Sequence, residues 1–333
     1  MSARNLQVQM KQHPKGMVTE GDFSIVETDI PVPKPGEALV RNLFLSLDPY
    51  MRPRMDPVRS YVEPLKPGEL MPGGTVGEVV DSRADDLPKG TLVAAGLGWQ
   101  THGIVTKAAV RVIDPKLGSP SSALGVLGMT GVTAHYGLLM LGKPKPGETV
   151  VVTAASGAVG SIAGQIAKLK GCRVVGIAGG PAKCRYVVDE LGFDACIDYK
   201  APDFEAQLAA ATPKSVDVLF ENVGGPILDA ILGRIADNAR IALCGNISDY
   251  NSREPYGLKG LRHILMHRVT IHAFIIADQR AYWPTALPEL SAWVREGKLK
   301  SREDVAEGLR SAPAAFIRML TGGNFGKQIV RIA

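Results

Sequence analysis

The chain has 333 residues, of which 45% are hydrophobic and 21% are charged, and its formal net charge is +5. At roughly 150 residues per domain, this length predicts about two domains with a core large enough to fold without disulfide bonds. The small positive charge argues against the clustered basic surface that nucleic-acid binding requires, and four cysteines without a pairing pattern favour a reducing compartment.

No segment predicts a signal peptide or a membrane span. The first 15 residues alternate polar and apolar side chains and lack the apolar run of a signal peptide. The longest uncharged window, from Leu117 to Gly142, is interrupted by glycines, Pro120 and His135. The hydrophobicity of this window is too low for a membrane helix, and the window is typical of buried structure. We therefore expect a cytoplasmic protein that does not contact membranes.

The first ~120 residues predict a β-rich domain. Short runs of β-branched and apolar residues alternate there with glycine and proline turn signals. The expected strands are Phe23 to Thr28, Glu37 to Ser46, Gly73 to Val80 and Gly90 to Ala95. Such short strands favour a barrel-like or sandwich domain.

From Leu124 onward, expected strands alternate with expected helices. Continuous apolar runs such as Thr149 to Ala154 are typical of strands that are buried on both faces. The further expected strands are Arg173 to Ala178, Ala195 to Ile197, Val216 to Phe220, Arg240 to Cys244 and Val269 to Ile276. The expected helices are Val159 to Leu169, Ala182 to Leu191, Asp203 to Ala211 and Ile227 to Ile235. This βαβ series predicts a parallel, doubly wound sheet, so the fold class is α/β.

The C-terminal segment predicts two helices and a final strand. One helix is expected from Trp283 to about Glu296, and another from Val305 to Met319. The strand Lys327 to Ile332 comes after the parallel sheet is complete, so we expect it to return to the first domain. The polar and basic stretch from Ser248 to Arg268 predicts a loop with a short helix.

The strongest chemical signal is a glycine-rich turn, Thr153 to Gly160, which reads TAASGAVG. It follows an expected strand and opens an expected helix, which is the context of a dinucleotide-binding turn. Glycines allow the backbone to approach a pyrophosphate, and a helix N-terminus supplies free N–H groups. Ala155 stands where the first glycine of the pattern is usual, so an ordinary strand–helix turn remains an alternative.

The residues after the second strand favour NADP over NAD. That strand ends in Ala178, Gly179 and Gly180, without the acidic residue that binds the ribose 2′-hydroxyl of NAD. Lys183 and Arg185 follow, and a cation at this place suits a 2′-phosphate. The alternative is that both are solvated charges on a helix surface.

Metal and hydrolase motifs are missing from the sequence. The cysteines, at positions 172, 184, 196 and 244, form no Cys-x-x-Cys pair. His263 and His267 have helical spacing but lack the glutamate of a zincin motif, and no Gly-x-Ser-x-Gly sequence is present. We therefore expect no metal.

Eight segments together resemble one protein family. They are LSLDPYMR (Leu45 to Arg52), GVLGM (Gly125 to Met129), GAVG (Gly157 to Gly160), KLKGC (Lys168 to Cys172), ENVGG (Glu221 to Gly225), CGNIS (Cys244 to Ser248), FII (Phe274 to Ile276) and GNFGK (Gly323 to Lys327). The chain resembles the zinc-independent medium-chain dehydrogenases/reductases over nearly its whole length. Within that family, the similarity is to the double-bond reductase branch, which contains prostaglandin, alkenal and bacterial curcumin reductases.

The resemblance implies a GroES-like β-barrel domain at 1–123 and 297–333, and a Rossmann domain at 124–296. It also implies NADP(H) in the cleft between the domains, with the 2′-phosphate at Lys183. The pyrophosphate would lie against Gly157, Ala158, Val159 and Gly160. The other implied cofactor-binding residues are Tyr199, Asn222, Cys244, Gly245, Ile247, Ser248, Phe274, Ile275, Ile276 and Asn324.

The resemblance further implies reduction of the α,β carbon–carbon double bond of enones and enals. Hydride addition to the β-carbon leaves an enolate, and its oxygen needs a hydrogen-bond donor. An enolate is a weaker base than an alkoxide, so a neutral phenol or a ribose hydroxyl suffices. Tyr50 and Tyr250 are the candidate catalytic donors, and for each the alternative is a packed core residue.

Other features leave alternatives open. Met71, Trp99 and Met129 are candidates for the substrate pocket, with core packing as the equal alternative. Asn246 and the stretch 252–261 depart from the family pattern, so the substrate stays open. A quinone reductase of the same superfamily and a non-enzymatic NADP(H)- or RNA-binding protein are the alternative functions. The strand expected at 269–276 is an exposed sheet edge, and together with the resemblance it favours a homodimer.

Overall fold

The structure is a computed structural model that describes residues 4–60 and 62–332. Its contacts divide the chain into two compact units: one contains the described parts of Met1–Leu124 and Glu303–Ala333, and the other is Gly125–Arg302. The second unit extends past residue 296, the end expected from the sequence. It does so because the side chain of Gln165 forms two hydrogen bonds with the backbone of Lys300, at 2.9 and 2.8 Å.

The first unit is built from β-strands and one C-terminal helix. Its strands are β1 (Arg4–Met10), β2 (Phe23–Asp29), β3 (Ala38–Ser46), β4 (Thr75–Ser82), β5 (Leu92–Ala95), β6 (His102–Val105), β7 (Arg111–Val112), β14 (Glu303–Glu307) and β15 (Lys327–Arg331), and its helix is α8 (Ala312–Leu320). The main sheet has the order β14-β15-β3-β4-β5-β7, and β6 also pairs with β3. β1 and β2 form a separate antiparallel pair.

The helix predicted for 305–319 is wrong at its start. Residues 303–307 form strand β14, which pairs in parallel with β15, and helix α8 begins only at Ala312. Gly308 separates the two elements with a φ of 75°, a conformation that ends a strand and cannot belong to a helix. Pro313 then lies in the first helical turn, where proline is tolerated.

The core of the first unit is an aromatic cluster. Trp99 stacks on Phe23 with ring centroids 5.6 Å apart, and it meets the edge of Phe316 at 5.5 Å. Trp99 and Met71 are both completely buried in this cluster. Their burial corresponds to the core-packing alternative rather than to an open substrate pocket.

A buried ion pair joins two of the segments that carry the family resemblance. The ammonium group of Lys327 lies 2.7 Å from the carboxylate of Asp48 and donates to the backbone oxygen of Leu47 at 2.9 Å. Both charged side chains are almost completely buried. The pair fixes the turn Pro49–Met51, which carries Tyr50, to the start of β15.

The second unit contains one parallel sheet covered by helices. Its strands are β8 (Thr149–Thr153), β9 (Arg173–Ala178), β10 (Ala195–Asp198), β11 (Val216–Glu221), β12 (Ile235–Leu243) and β13 (Thr270–Ala273). Its helices are α1 (Met129–Tyr136), α2 (Gly160–Leu169), α3 (Pro181–Arg185), α4 (Phe204–Ala211), α5 (Gly225–Leu232), α6 (Leu261–Met266) and α7 (Trp283–Arg295). The order β10-β9-β8-β11-β12-β13 is the doubly wound arrangement. This sheet, together with the separate β unit, confirms the predicted fold class.

Two elements of the second unit differ from the sequence prediction. Helix α5 ends at Leu232 and strand β12 begins already at Ile235, five residues before the expected start at Arg240. Helix α1 lies in the glycine-rich window 117–142, to which the sequence assigned buried structure but no helix. Among the described residues, no helix is both long and apolar enough to cross a membrane.

Candidate functional site

Many of the expected site residues lie at the carboxyl ends of the strands in the parallel sheet. The carboxyl ends of parallel strands lie together, and ligands of doubly wound sheets bind there. The expected residues follow these strand ends: Gly157, Ala158, Val159 and Gly160 after β8, Lys183 after β9, Tyr199 after β10, Asn222 after β11, Cys244, Gly245, Ile247 and Ser248 after β12, and Phe274, Ile275 and Ile276 after β13. Tyr50 and Asn324 belong to the first unit.

The glycine turn after β8 is closely packed on itself. Ala154 has a φ of 51°, and its carbonyl oxygen accepts a hydrogen bond from Gly157 at 2.8 Å. A Cβ atom at Gly160 would lie 2.4 Å from this same oxygen, so only glycine fits there. Helix α2 begins at Gly160, after the six-residue turn that follows β8. The first N–H groups of a helix have no partners within it and form a position suited to an anion.

The departure at Ala155 is accommodated by a glycine on the next strand. Ala155 is completely buried, and its N–H donates to Ile177 at 3.0 Å. A Cβ atom at Gly176 would lie only 2.8 Å from the Cβ atom of Ala155. Because Gly176 has no side chain, the methyl group of Ala155 fits where the pattern usually has its first glycine. The dinucleotide-type turn therefore keeps its shape.

A buried carboxyl group, Glu221, ties the end of β11 to the end of β8. One of its oxygens, Oε1, accepts hydrogen bonds from the Thr153 hydroxyl at 3.1 Å and from the N–H of Gly224 at 2.7 Å. The N–H of Val223 also donates to Oε1. The other oxygen, Oε2, has no hydrogen-bond partner among the described residues. Complete burial raises the pKa of Glu221 and favours the neutral carboxyl group, although these donors act in the opposite direction.

The same network holds Asn222 and the loop after β12. The amide of Asn222 donates to the backbone oxygen of Thr153 at 2.8 Å. The backbone oxygen of Glu221 accepts the N–H groups of Cys244 at 2.8 Å and Gly245 at 3.2 Å. Burial raises the pKa of the Cys244 thiol to about 12, so this thiol stays protonated.

Tyr250 places its hydroxyl group over this loop. The phenol oxygen lies 3.5 Å from the position that a Cβ atom would take at Gly245. The backbone N–H of Asn246 hydrogen bonds to the phenol oxygen, but burial is the larger effect and raises the pKa of Tyr250 above its ordinary value. The phenol therefore remains protonated at neutral pH and can donate a hydrogen bond.

The two departures from the family pattern have structural roles. The Asn246 side chain donates to Asp249 at 2.9 Å, and its oxygen fills the space beside Gly224, where a Cβ atom would lie 1.6 Å away. Asp229 accepts the N–H groups of Lys259 and Gly260 at 3.1 and 2.7 Å, which attaches the stretch 252–261 to helix α5.

The end of the sheet near β9 and β10 carries the residues expected at a 2′-phosphate. Lys183 is half-buried on helix α3. The ring of Tyr199 lies against Gly179, where a Cβ atom would be 2.9 Å from it. The carboxylate of Asp198 accepts the N–H of Gly180 at 2.8 Å, so this carboxylate fixes the turn.

Other expected residues have more varied surroundings. Tyr50 is half-buried and packs against the aromatic core of the first unit. Asn324 donates to the backbone oxygen of Gly326 at 2.9 Å. The Phe274 ring packs on Tyr136, with centroids 5.6 Å apart, so the side chain of Phe274 supports helix α1. Met129 is half-buried at the start of that helix.

The sequence did not predict the roles of Thr153 and Glu221, nor the approach of Cys184 to Cys196. The sequence signal for Thr153 and Glu221 is that each is a polar residue at the end of an apolar strand. Within the described part of the chain, no three His, Cys, Asp or Glu side chains are grouped so that they could hold a metal ion.

Two family models match the chain. The model described as "N-terminal domain of oxidoreductase" matches residues 6–113, and the model described as "Zinc-binding dehydrogenase" matches residues 158–292. The phrase "Zinc-binding" describes the family that the second model represents and is not a statement about a metal site in this chain. Together the two models cover most of the β unit before α1 and most of the parallel-sheet unit.

Named relatives match over nearly their whole length. The chain is 44% identical to the NADPH-dependent curcumin reductase of Escherichia coli (strain K12), covering 99% of this chain and 97% of the relative. It is 43% identical to prostaglandin reductase 1 of Mus musculus, covering 97% of each.

One solved structure matches the fold of the chain over both units. The crystal structure of CurA in complex with NADPH from Vibrio vulnificus has a TM-score of 0.94 and 44% identity, and covers 98% of this chain and 99% of that chain. The strand ends described above are therefore arranged on a fold shared with a protein that binds NADPH. The chain belongs to the zinc-independent medium-chain dehydrogenases/reductases, in the branch of double-bond reductases.

Proposed function

We propose that the protein is an NADPH-dependent reductase of the α,β carbon–carbon double bond of enones and enals. The observation that carries this proposal is the neutral phenol of Tyr250, held beside Gly245 at the edge of the sheet where the glycine turn also lies. The names of the curcumin and prostaglandin reductases, which are over 40% identical to this chain, support the same substrate class.

NADP(H) fits the residues at this edge. The closely packed turn at Gly157 and Gly160 brings backbone N–H groups to a pyrophosphate position, and Lys183 supplies a cation for the 2′-phosphate. Asn222, fixed by its hydrogen bond to Thr153, would contact the cofactor from the end of β11. When bound, the reduced nicotinamide supplies the hydride.

Tyr250 polarises the substrate carbonyl. Its phenol donates a hydrogen bond to the carbonyl oxygen, and that bond strengthens as negative charge develops there during hydride addition. Burial keeps the phenol protonated, so the donor is available throughout the neutral pH range. Tyr50 is the alternative donor from the first unit, and Met129 is the remaining candidate for the substrate pocket.

We also propose a cytoplasmic homodimer with no nucleic-acid partner. Among the described strands, β13 pairs with β12 alone, and all four residues of β13 are exposed. Helix α6 next to it exposes Leu261, Leu265 and Met266, with Leu265 79% exposed. An unpaired strand edge beside exposed apolar side chains favours association with a second copy of the chain. Four free thiols suit a reducing compartment.

The reaction product tests the proposed function. NADPH and a small aliphatic enone, such as methyl vinyl ketone, should give the saturated ketone, with the hydride at the β-carbon. The reason is that the phenol stabilises an enolate, whereas carbonyl reduction would leave a more basic alkoxide. Mass spectrometry and NMR of the product with 4-deuterated NADPH would locate the transferred atom.

An allylic alcohol as the product would contradict this regiochemistry. Faster turnover of a simple quinone than of the enone would favour the quinone reductase instead. Binding of NADPH without turnover of either electrophile would favour a protein that binds the cofactor without catalysis.

Replacing Lys183 tests the cofactor preference. A hydrogen bond to a charged group contributes ~1.5–3 kcal/mol, so Lys183→Ala should raise the KM for NADPH roughly 10- to 150-fold. The KM for NADH should change little, because NADH has no 2′-phosphate. Steady-state kinetics with both cofactors measures the preference.

Lys214→Ala is the matched control, because Lys214 is exposed and lies just before the amino end of β11, away from the carboxyl edge. Equal use of NADH and NADPH by the unmodified protein would overturn the proposed preference.

Light scattering tests the dimer. The unmodified protein should have twice the mass of one chain, and Leu265→Asp should shift it toward the monomer by placing a charge on the apolar surface. Val32→Asp is the control, because Val32 is 71% exposed in the first unit. A monomeric mass for the unmodified protein at micromolar concentration would refute the proposal.

A further inference from the structure

Two cysteines outside the proposed reaction lie in direct contact. Cys184 belongs to helix α3 and Cys196 to strand β10, and their Sγ atoms are 2.7 Å apart. The S–H group of Cys196 donates to the sulfur of Cys184. Both thiols are free, and neither residue is fully buried. The fold thus brings together two thiols that are separated by a π-helical turn and a loop in the sequence.

The two thiols differ in character. The hydrogen bond from Cys196 lowers the pKa of Cys184, because it stabilises the Cys184 thiolate. The same bond and burial raise the pKa of Cys196, which keeps its proton. Cys184 is therefore the nucleophile of the pair, since the thiolate is the reactive form of cysteine.

The pair is open to small molecules. It lines a pocket of about 410 Å³ together with Pro181, Arg185 and Asp198. The other two cysteines provide a contrast within the same unit. Burial raises the pKa of Cys172 to about 11 and that of Cys244 to about 12, so these thiols are unreactive.

We propose that Cys184 and Cys196 form a redox-active dithiol, which hydroperoxides convert to an intramolecular disulfide. The Cys184 thiolate attacks the terminal peroxide oxygen and the O–O bond breaks. The leaving group, hydroxide from hydrogen peroxide or alkoxide from an organic hydroperoxide, takes a proton to become water or an alcohol. The resulting Cys184 sulfenic acid is attacked by the sulfur of Cys196: the S–S bond forms, the S–O bond breaks, and the hydroxide leaves with the Cys196 proton as water. Two thiols are oxidised and the peroxide is reduced.

Cys196 protects Cys184 in this scheme. A sulfenic acid without a neighbouring thiol is oxidised further to sulfinic and sulfonic acids, which thiols do not reverse. Because the sulfur atoms are already in contact, forming the disulfide requires little movement of helix α3 relative to β10. A dithiol reductant then restores both cysteines. The dithiol chemistry uses no step of the proposed reductase reaction, although Cys184 directly follows Lys183 on helix α3.

Mass spectrometry of the peroxide-treated full-length protein tests the proposal. The protein is exposed to hydrogen peroxide, its remaining thiols are alkylated, and its peptides are analysed with and without dithiothreitol. The unmodified protein should yield a Cys184–Cys196 cross-linked peptide that has lost two hydrogen atoms and that dithiothreitol reverses. In Cys196→Ser, Cys184 should instead accumulate as sulfinic and sulfonic acid.

Two further variants make the test specific. Cys184→Ser should consume peroxide at least about tenfold more slowly, because it lacks the thiolate. Cys172→Ser should form the disulfide as the unmodified protein does, because Cys172 is buried away from the pair. Alkylation of both Cys184 and Cys196 in the peroxide-treated unmodified protein would overturn the proposal. Equal sulfinic acid at Cys184 in the unmodified protein and in Cys196→Ser would also overturn it.

Discussion

The proposed site depends on one buried carboxyl group, that of Glu221. Its side chain joins the end of β11 to Thr153 on β8, and its backbone oxygen holds Cys244 and Gly245 after β12. Burying an ionisable group is costly unless hydrogen bonds compensate, and here one oxygen accepts three donors. Three neighbouring strand ends are consequently held in one arrangement.

The chemistry that we propose follows from that arrangement. The fixed ends of β8 and β11 set the glycine turn and Asn222, and the fixed end of β12 sets the loop that carries Tyr250. A donor oriented before the reaction stabilises developing charge without a further cost of reorganisation. The phenol can serve in this way because burial keeps it protonated. The proposed dithiol, formed by Cys184 on helix α3 and Cys196 on β10, lies in the same unit but belongs to a separate chemistry.

The sequence predicted those features that local patterns encode. Apolar runs and helical periodicity predicted the parallel sheet. The turn at Gly157 indicated a candidate site at the strand ends, and that site stays a prediction. Strand β14 was missed because its pairing with β15 is a tertiary contact, which overrides the helical pattern of 305–319. The burial of Trp99 against Phe316 and the contact of Cys184 with Cys196 depend equally on residues brought together by the fold.

In the proposed reaction, the phenol of Tyr250 stabilises the enolate oxygen. The most direct measurement compares kcat/KM for an enone in Tyr250→Phe and in the unmodified protein, with NADPH affinity measured by fluorescence in both. Removing a donor to a developing oxyanion costs ~10²- to 10³-fold, so we predict a loss of that size with unchanged NADPH affinity. If Tyr250→Phe keeps activity within about twofold of the unmodified protein and the loss occurs in Tyr50→Phe instead, Tyr250 is not the donor to the enolate oxygen.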